Sequence, residues 1–146
     1  MKVKIFSREA SRKAHPSEKH IWISIRDTGE RPVKLPKNTN RIAALFLEFD
    51  DVEKEGMSFL GRPLNAMSEI DAKKIVVFVM KYKADIELIC VNCEAGISRS
   101  AGTAEAISLW LNEHDSGIRG NPQYAPNTWV KTRILRRLMN KDEQSS

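Results

Sequence analysis

The stretch IELICVNCEAGISRSAG, residues 86–102, decides how the chain is read. It opens as an apolar run, Ile86 to Val91, passes a single amide at Asn92 and reaches Cys93. Glu94, Ala95, Gly96, Ile97 and Ser98 follow, then Arg99 and Ser100. A short apolar run of this kind reads as a buried strand. Beyond it, Ala101, Ala104, Ile107, Ser108 and Leu111 mark one face of a helix predicted over residues 99–114. The layout is strand, short loop, helix. In an open α/β sheet, ligands sit at the carboxyl ends of the strands, so residues 93–100 stand where a ligand is expected.

The loop's composition selects an anion. Backbone amides at a helix N-terminus, together with the helix dipole, favour negative charge. Gly96 lets the chain curl so that successive N–H groups form a nest. Arg99, six residues after Cys93, brings a planar fork that suits two oxygens of one phosphate. The field that holds a phosphate also stabilises a thiolate, and a thiolate facing a phosphate monoester is a nucleophile. A free cysteine is most often a small packing residue. The setting of Gly96, Arg99 and Ser100 between strand and helix favours the nucleophile for Cys93.

Outward from this loop the chain alternates strands and helices. Residues 2–6 and 20–26 are predicted strands, with Ser7 capping a brief helical turn over 8–13 between them. Residues 27–40 are a loop. RIAALFLEF, residues 41–49, is nearly continuous apolar and is expected to be a buried central strand. Residues 50–65, with Gly56, Gly61 and Pro63, form a long irregular connection. Ser68 and Asp71 have the spacing of a capping box for a helix running to Lys83. Residues 115–126 connect to a last helix, capped by Asn127 and predicted over 128–140, with 141–146 as a disordered tail. The expected fold is a single α/β domain, 1–146, with a mostly parallel central sheet of four or five strands flanked by helices. The phosphate-binding loop then joins the last strand to a helix.

Composition narrows the class. The 146 residues suit one domain. No apolar window is long enough to span a membrane, and the N-terminal MKVKIFSREASRKAH has no signal-peptide core. Two cysteines cannot build a disulfide framework, so a reduced, cytoplasmic setting is expected. The net charge of +5 favours anionic partners in general without naming nucleic acid. His15, His20 and His114 show no metal-ligand spacing. Cys90 and Cys93 form a C-x-x-C, but Cys90 falls inside the strand, where packing is the favoured role and a transient disulfide the lesser alternative. The basic group Lys131, Arg133, Arg136 and Arg137 reads as a solvated helix face.

CEAGISRS, a C-x5-R followed by Ser, resembles the signature loop of the cysteine-dependent protein tyrosine phosphatases. The short chain and mid-chain cysteine look like the small dual-specificity branch of bacterial and phage type, over roughly residues 20–140. The resemblance implies that Cys93 attacks phosphorus to form a cysteinyl-phosphate. It implies that Arg99 binds the equatorial oxygens, and that Ser100 hydrogen-bonds the cysteine sulfur and helps it leave. The amides of Glu94, Ala95, Gly96, Ile97, Ser98 and Arg99 complete the phosphate cradle. An aspartate on a separate loop serves as general acid. Asp51, preceding Val52, is the favoured counterpart, with Asp50, Glu53 and Glu55 as alternatives. No metal or cofactor is implied, because loop and arginine supply the positive charge.

One position departs from the pattern. The family places His before the cysteine, and this chain has Asn92, which can hydrogen-bond but carries no charge. The expected activity is hydrolysis of phosphotyrosine, with phosphoserine and phosphothreonine as further substrates, on phosphoproteins or phosphopeptides. Phosphate, sulfate and vanadate are the expected anion ligands. Inositol lipids are disfavoured because the loop has no Lys. The competing readings are a catalytically dead phosphate-binding module for phosphoproteins and an RNA 5′-phosphatase of the same superfamily. Arg41 and Arg62 are secondary candidates for substrate contact.

Overall fold

The computed structural model describes residues 1–145. Its strands and helices are β1 (Lys2–Phe6), α1 (Arg8–Ser11), β2 (His20–Arg26), β3 (Arg41–Glu48), β4 (Ser58–Phe59), β5 (Arg62–Pro63), α2 (Glu69–Tyr82), β6 (Leu88–Asn92), α3 (Arg99–Asn112) and α4 (Thr128–Ser145). Four strands form one parallel sheet in the order β1-β6-β2-β3. The loop after β6 therefore opens from the middle of the sheet, and residues 27 and 49–51 leave the ends of β2 and β3 on the same side.

Alternation along the strands sorts the sheet's two faces. Ile21, Ile23, Ile25, Ile89 and Val91 share the main core with Ala72, Ile75, Val76 and Val79 of α2, Ala106 and Ile107 of α3, and Val130 and Ile134 of α4. Cys93 belongs to this face. Trp22, Leu88 and Cys90 form a smaller cluster covered by Phe6, Ala14, Leu35 and Ala44. Three long helices thus cover one face, and the opposite face is closed by α1's surroundings and loop 27–40. The C-x-x-C splits across the sheet, so the two sulfurs lie in different clusters. Both cysteines are free, and burial pushes the Cys90 thiol up to about 12, an inert packing group.

The caps form as the sequence predicts. Ser7 Oγ accepts from Ala10 N–H, and Ser68 and Asp71 make both bonds of the capping box at α2. The helix α4 continues to Ser145, past its predicted end at residue 140, while Ser146 lies outside the described residues.

Two expectations about the strands and connections change. RIAALFLE is not a central strand: among the described residues β3 pairs only with β2 and forms an edge. Its apolar run reflects two different surroundings. Leu47 is buried beneath the main core, whereas Ile42 and Phe46 are each 41% exposed. Composition reports apolar faces, but hydrogen-bonded neighbours decide the place of a strand in the sheet. The irregular connection after β3 also holds structure, since β4 and β5 pair as a short antiparallel hairpin. Leu60 and Gly61 both have positive φ, 49° and 77°, as a two-residue hairpin turn requires.

The basic group on the last helix is not simply solvated. Arg133 is largely buried, stacks over the Trp129 ring at 4.3 Å and reaches Glu55 at 3.2 Å and Glu69 at 3.5 Å. Lys131 lies 3.5 Å from Glu105. Glu105, 1% exposed on α3, also receives a two-pronged contact from Arg119 at 2.6 and 2.7 Å. That fork ties the 115–126 connection to the helix behind the loop.

One glycine sets how closely α3 meets the start of α4. A Cβ on Gly102 would stand 2.5 Å from the carbonyl oxygen of Asn127. Gly102→Ala is expected to cost about 1–3 kcal/mol by overpacking, read as a lower urea midpoint at unchanged slope. An unchanged midpoint would mean that the start of α4 backs away freely.

Candidate active site

Loop 93–98 is built by fixing its carbonyls and leaving its amides. Glu94 C=O accepts from Arg8 N–H at 2.9 Å, and Ile97 C=O from Ala125 N–H at 3.0 Å. Ser98 C=O accepts from Gly102 N–H at 2.8 Å and Asn127 N–H at 3.0 Å. Among the described residues, no N–H of residues 94–98 donates to a protein acceptor. Carbonyls committed to the scaffold and amides left over are the arrangement of an anion nest. Gly96 makes the curl at φ +70°, and a Cβ there would lie 2.7 Å from Ser7 N and 2.8 Å from Phe6 C. The loop thus packs directly on the end of β1, at a distance and a backbone angle that exclude other residues.

Cys93 stands at the end of β6, 2% exposed, with its Sγ 3.0 Å from Ser100 Oγ. Arg99 is also buried, at 5% exposure. Its Nη1 donates to Phe49 C=O at 2.8 Å and ion-pairs with Asp27 Oδ1 at 2.7 Å. Its Nε is buried without a hydrogen-bond partner. A buried N–H of a charged group left unpaired is costly, and an anion at the loop would satisfy it.

Asn92 fills the position before the cysteine with a fixed amide. Trp22 Nε1 donates to Asn92 Oδ1 at 2.8 Å, which turns the amide so that Nδ2 donates to Cys93 C=O at 3.3 Å. All three residues are buried. The contact holds the cysteine's backbone without a titratable group.

The four carboxylates after β3 separate by their contacts. Asp50 accepts from Thr28 N–H, Thr28 Oγ1 and Asn65 N–H at 3.0, 3.0 and 2.7 Å. Burial pushes its pKa up, but those hydrogen bonds and the nearby Arg99 outweigh burial and hold it below the ordinary aspartate value. Glu53 Oε1 accepts from Thr128 N–H at 2.8 Å, at the start of α4, and Glu55 pairs with Arg133. Asp51 alone of the four touches the loop. Its Oδ1 accepts from Ser98 Oγ at 2.7 Å and from Asn127 Nδ2 at 2.9 Å. The insert between Asp51 and α2 is taken up by the β4–β5 hairpin, so the long sequence separation does not distance Asp51 from the loop.

Beside these residues lies a cleft of about 490 Å³. Asp27, Thr28, Gly29, Glu30, Asp50 and Asp51 line one part of it, and Phe59, Arg62, Pro63 and Leu64 the other. Arg62 is therefore at the cleft, whereas Arg41 is not: its Nη1 donates to Pro36 C=O at 2.9 Å. Asp27 and Trp22 are site residues that sequence reasoning missed. Asp27 carried a usable signal, because it directly follows a strand at the sheet's ligand-binding end. Trp22 carried none, because its partner is 70 residues away.

No protein-family model and no curated protein matches the sequence. Solved structures do match in fold. Human DUSP28 aligns with TM-score 0.56 at 14% identity, over 97% of this chain and 94% of its own. PTPMT1 in complex with PI(5)P aligns with TM-score 0.58 at 14% identity, over 99% and 95%. Tk-PTP in the active form aligns with TM-score 0.56 at 14% identity, over 97% and 93%. The fold is that of the small dual-specificity-type phosphatases. Among the described residues no helix is long and apolar enough to cross a membrane.

The depressed Asp50 has a stability consequence. Its folded pKa lies below its unfolded one, so its contribution is fully present above the unfolded value of about 3.9 and is lost as pH falls toward the folded value. Asp50→Asn is expected to destabilise the protein at pH 7, with the gap to wild type narrowing below about pH 4. Urea midpoints at pH 7 and pH 3 check this; a gap that does not narrow would show that the charge of Asp50 is not what holds Thr28 and Asn65.

Proposed function

We propose that the chain is a cysteine-dependent phosphatase that hydrolyses phosphotyrosine, and additionally phosphoserine and phosphothreonine, on proteins. The observation that supports it most is the pairing of unused donors with a nucleophile. The amides of residues 94–98 and Arg99 Nε are without protein acceptors, and Cys93 Sγ stands at the base of the same loop.

The steps follow from these groups. The non-bridging oxygens of a phosphoryl group in the loop accept hydrogen bonds from the free amides and from Arg99, whose orientation Asp27 and Phe49 C=O fix. Cys93 thiolate attacks phosphorus as the bond to the leaving oxygen breaks. The carboxyl of Asp51 supplies a proton to that oxygen. Water then attacks the cysteinyl-phosphate, Asp51 carboxylate takes the water's proton, and the S–P bond breaks to release inorganic phosphate. Ser100, 3.0 Å from Sγ, donates to the departing thiolate. Asp50 is unsuited to the acid's role, since its hydrogen bonds favour the ionised form.

Both Cys93 and Arg99 are present, which favours an enzyme over a silent phosphate-binding module. The absence of Lys from CEAGISRS favours phosphoprotein over inositol-phosphate substrates. PTPMT1 shares the fold with PI(5)P bound, so inositol lipids belong in the test panel.

Wild-type protein is expected to turn over p-nitrophenyl phosphate and phosphotyrosine peptides, with vanadate as inhibitor. Cys93→Ser abolishes turnover while retaining phosphate binding. Asp51→Asn lowers kcat by roughly 10²–10⁴-fold with an intact fold, whereas Glu53→Gln does not approach that loss. Absence of turnover by wild type together with tight phosphopeptide binding would establish the binding module instead.

A further inference from the structure

The β3 edge carries an unblunted apolar strand. Its outer side pairs with no strand among the described residues. Between Arg41 and Glu48 its sequence, IAALFL, contains no charge and no proline. Native sheets usually protect such an edge with Lys, Pro, a bulge or a covering segment, because its free N–H and C=O groups recruit another strand. The one register irregularity with β2 lies at the strand's beginning, at His20/Ile21.

Beside this edge, between β3 and α2, runs a groove of about 480 Å³. Leu45, Val77, Phe78 and Tyr82 form its apolar floor, and Ile70 at its end is 67% exposed. Lys73, Lys74 and Lys81 stand along it, and no carboxylate lines it. None of the three lysines enters an ion pair among the described residues; Lys81 lies 5.4 Å over the Tyr82 ring.

We propose that this edge and groove form a docking surface for an extended segment of a partner protein that carries both apolar and acidic residues on one side of the strand, at every second position. The segment's main chain adds a fifth strand to β3, its apolar side chains enter the groove, and its carboxylates meet the three lysines. The spacing follows from the pleat, which sends successive side chains to opposite sides, so the apolar and acidic residues that meet the groove and its lysines stand two apart. Charge argues against a second copy of this chain. An isologous contact through the same edge would bring two sets of Lys73, Lys74 and Lys81 together across the two-fold axis, and like charges in an interface are costly. β3 leads at its carboxyl end into Asp50 and Asp51, so a segment added along it ends beside the cleft.

The probe is a blocked synthetic octapeptide, Val-Ser-Glu-Ser-Ile-Ser-Glu-Ser, which puts Val, Ile and both Glu on one side of an extended strand, titrated into the full chain at low salt. Fluorescence polarisation reads binding, and amide exchange reads location. The expected result is saturable binding that slows exchange within residues 41–48 and weakens as salt is raised. Affinity is expected to fall at least tenfold in a K73E/K74E/K81E triple variant and in Val77→Asp. The milder K73Q/K74Q/K81Q triple serves if charge reversal perturbs near-UV circular dichroism, and the same peptide with Lys for Glu is not expected to bind. Three results overturn the proposal: no binding to wild type, binding indifferent to the lysines, or protection elsewhere in the chain. Protection of β3 in the free protein that grows with protein concentration would assign the edge to a second copy and overturn it equally. None of these variants touches Cys93, Arg99 or Asp51, so phosphatase assays on them report separately on the proposed catalysis.

Discussion

The arrangement on which the site depends is a division of hydrogen-bonding labour within six residues. Carbonyls of Glu94, Ile97 and Ser98 are held by donors from the residues after β1, from the connection before α4, and from α3 itself. The donors come from three different parts of the chain, so the loop is fixed from several sides. What remains for an anion is the row of N–H groups. A backbone held only by its acceptors is already organised for negative charge and has little left to reorganise when the charge arrives. The two close glycines serve this directly. Gly96 allows the loop to rest on Phe6 and Ser7, and Gly102 allows Asn127 to approach Ser98.

Electrostatics around the loop rest on a careful allotment of carboxylates. Five acids, Asp27, Asp50, Asp51, Glu53 and Glu55, each have their own partners. Asp27 holds the guanidinium of Arg99, Asp50 joins the loops at Thr28 and Asn65, Glu53 caps the start of α4 and Glu55 receives Arg133. Asp51 shares its bonds with Ser98 and Asn127. Neighbouring residues of the same type thus acquire different chemistry from their hydrogen bonds rather than from their position in the chain.

The sheet links these parts. Parallel pairing puts the ends of β2, β3 and β6 side by side, so residues 27, 49–51 and 93 converge although they are far apart in sequence. Pleating then assigns faces. Cys93 turns toward the helices, whereas Asn92 turns toward Trp22 on the opposite face and steadies the cysteine's carbonyl from behind. A neutral amide can do this because the bond needs a donor, not a charge.

Local signals were enough to read much of this protein. The strand–loop–helix of residues 86–102, the capping box at Ser68 and Asp71, the strand over 20–26 and the α/β class all follow from short-range patterns, and a short-range pattern is what a sequence displays. That Cys93 and Arg99 lie in one strand-to-helix loop was legible for the same reason. The edge position of β3, the pairing of Asp27 with Arg99, the Trp22–Asn92 bond and the separation of Asp51 from Asp50 were decided only in three dimensions. Each depends on which strands pair and which loops then meet, and that outcome is set by contacts between residues tens of positions apart, whose energies leave no periodicity in the chain.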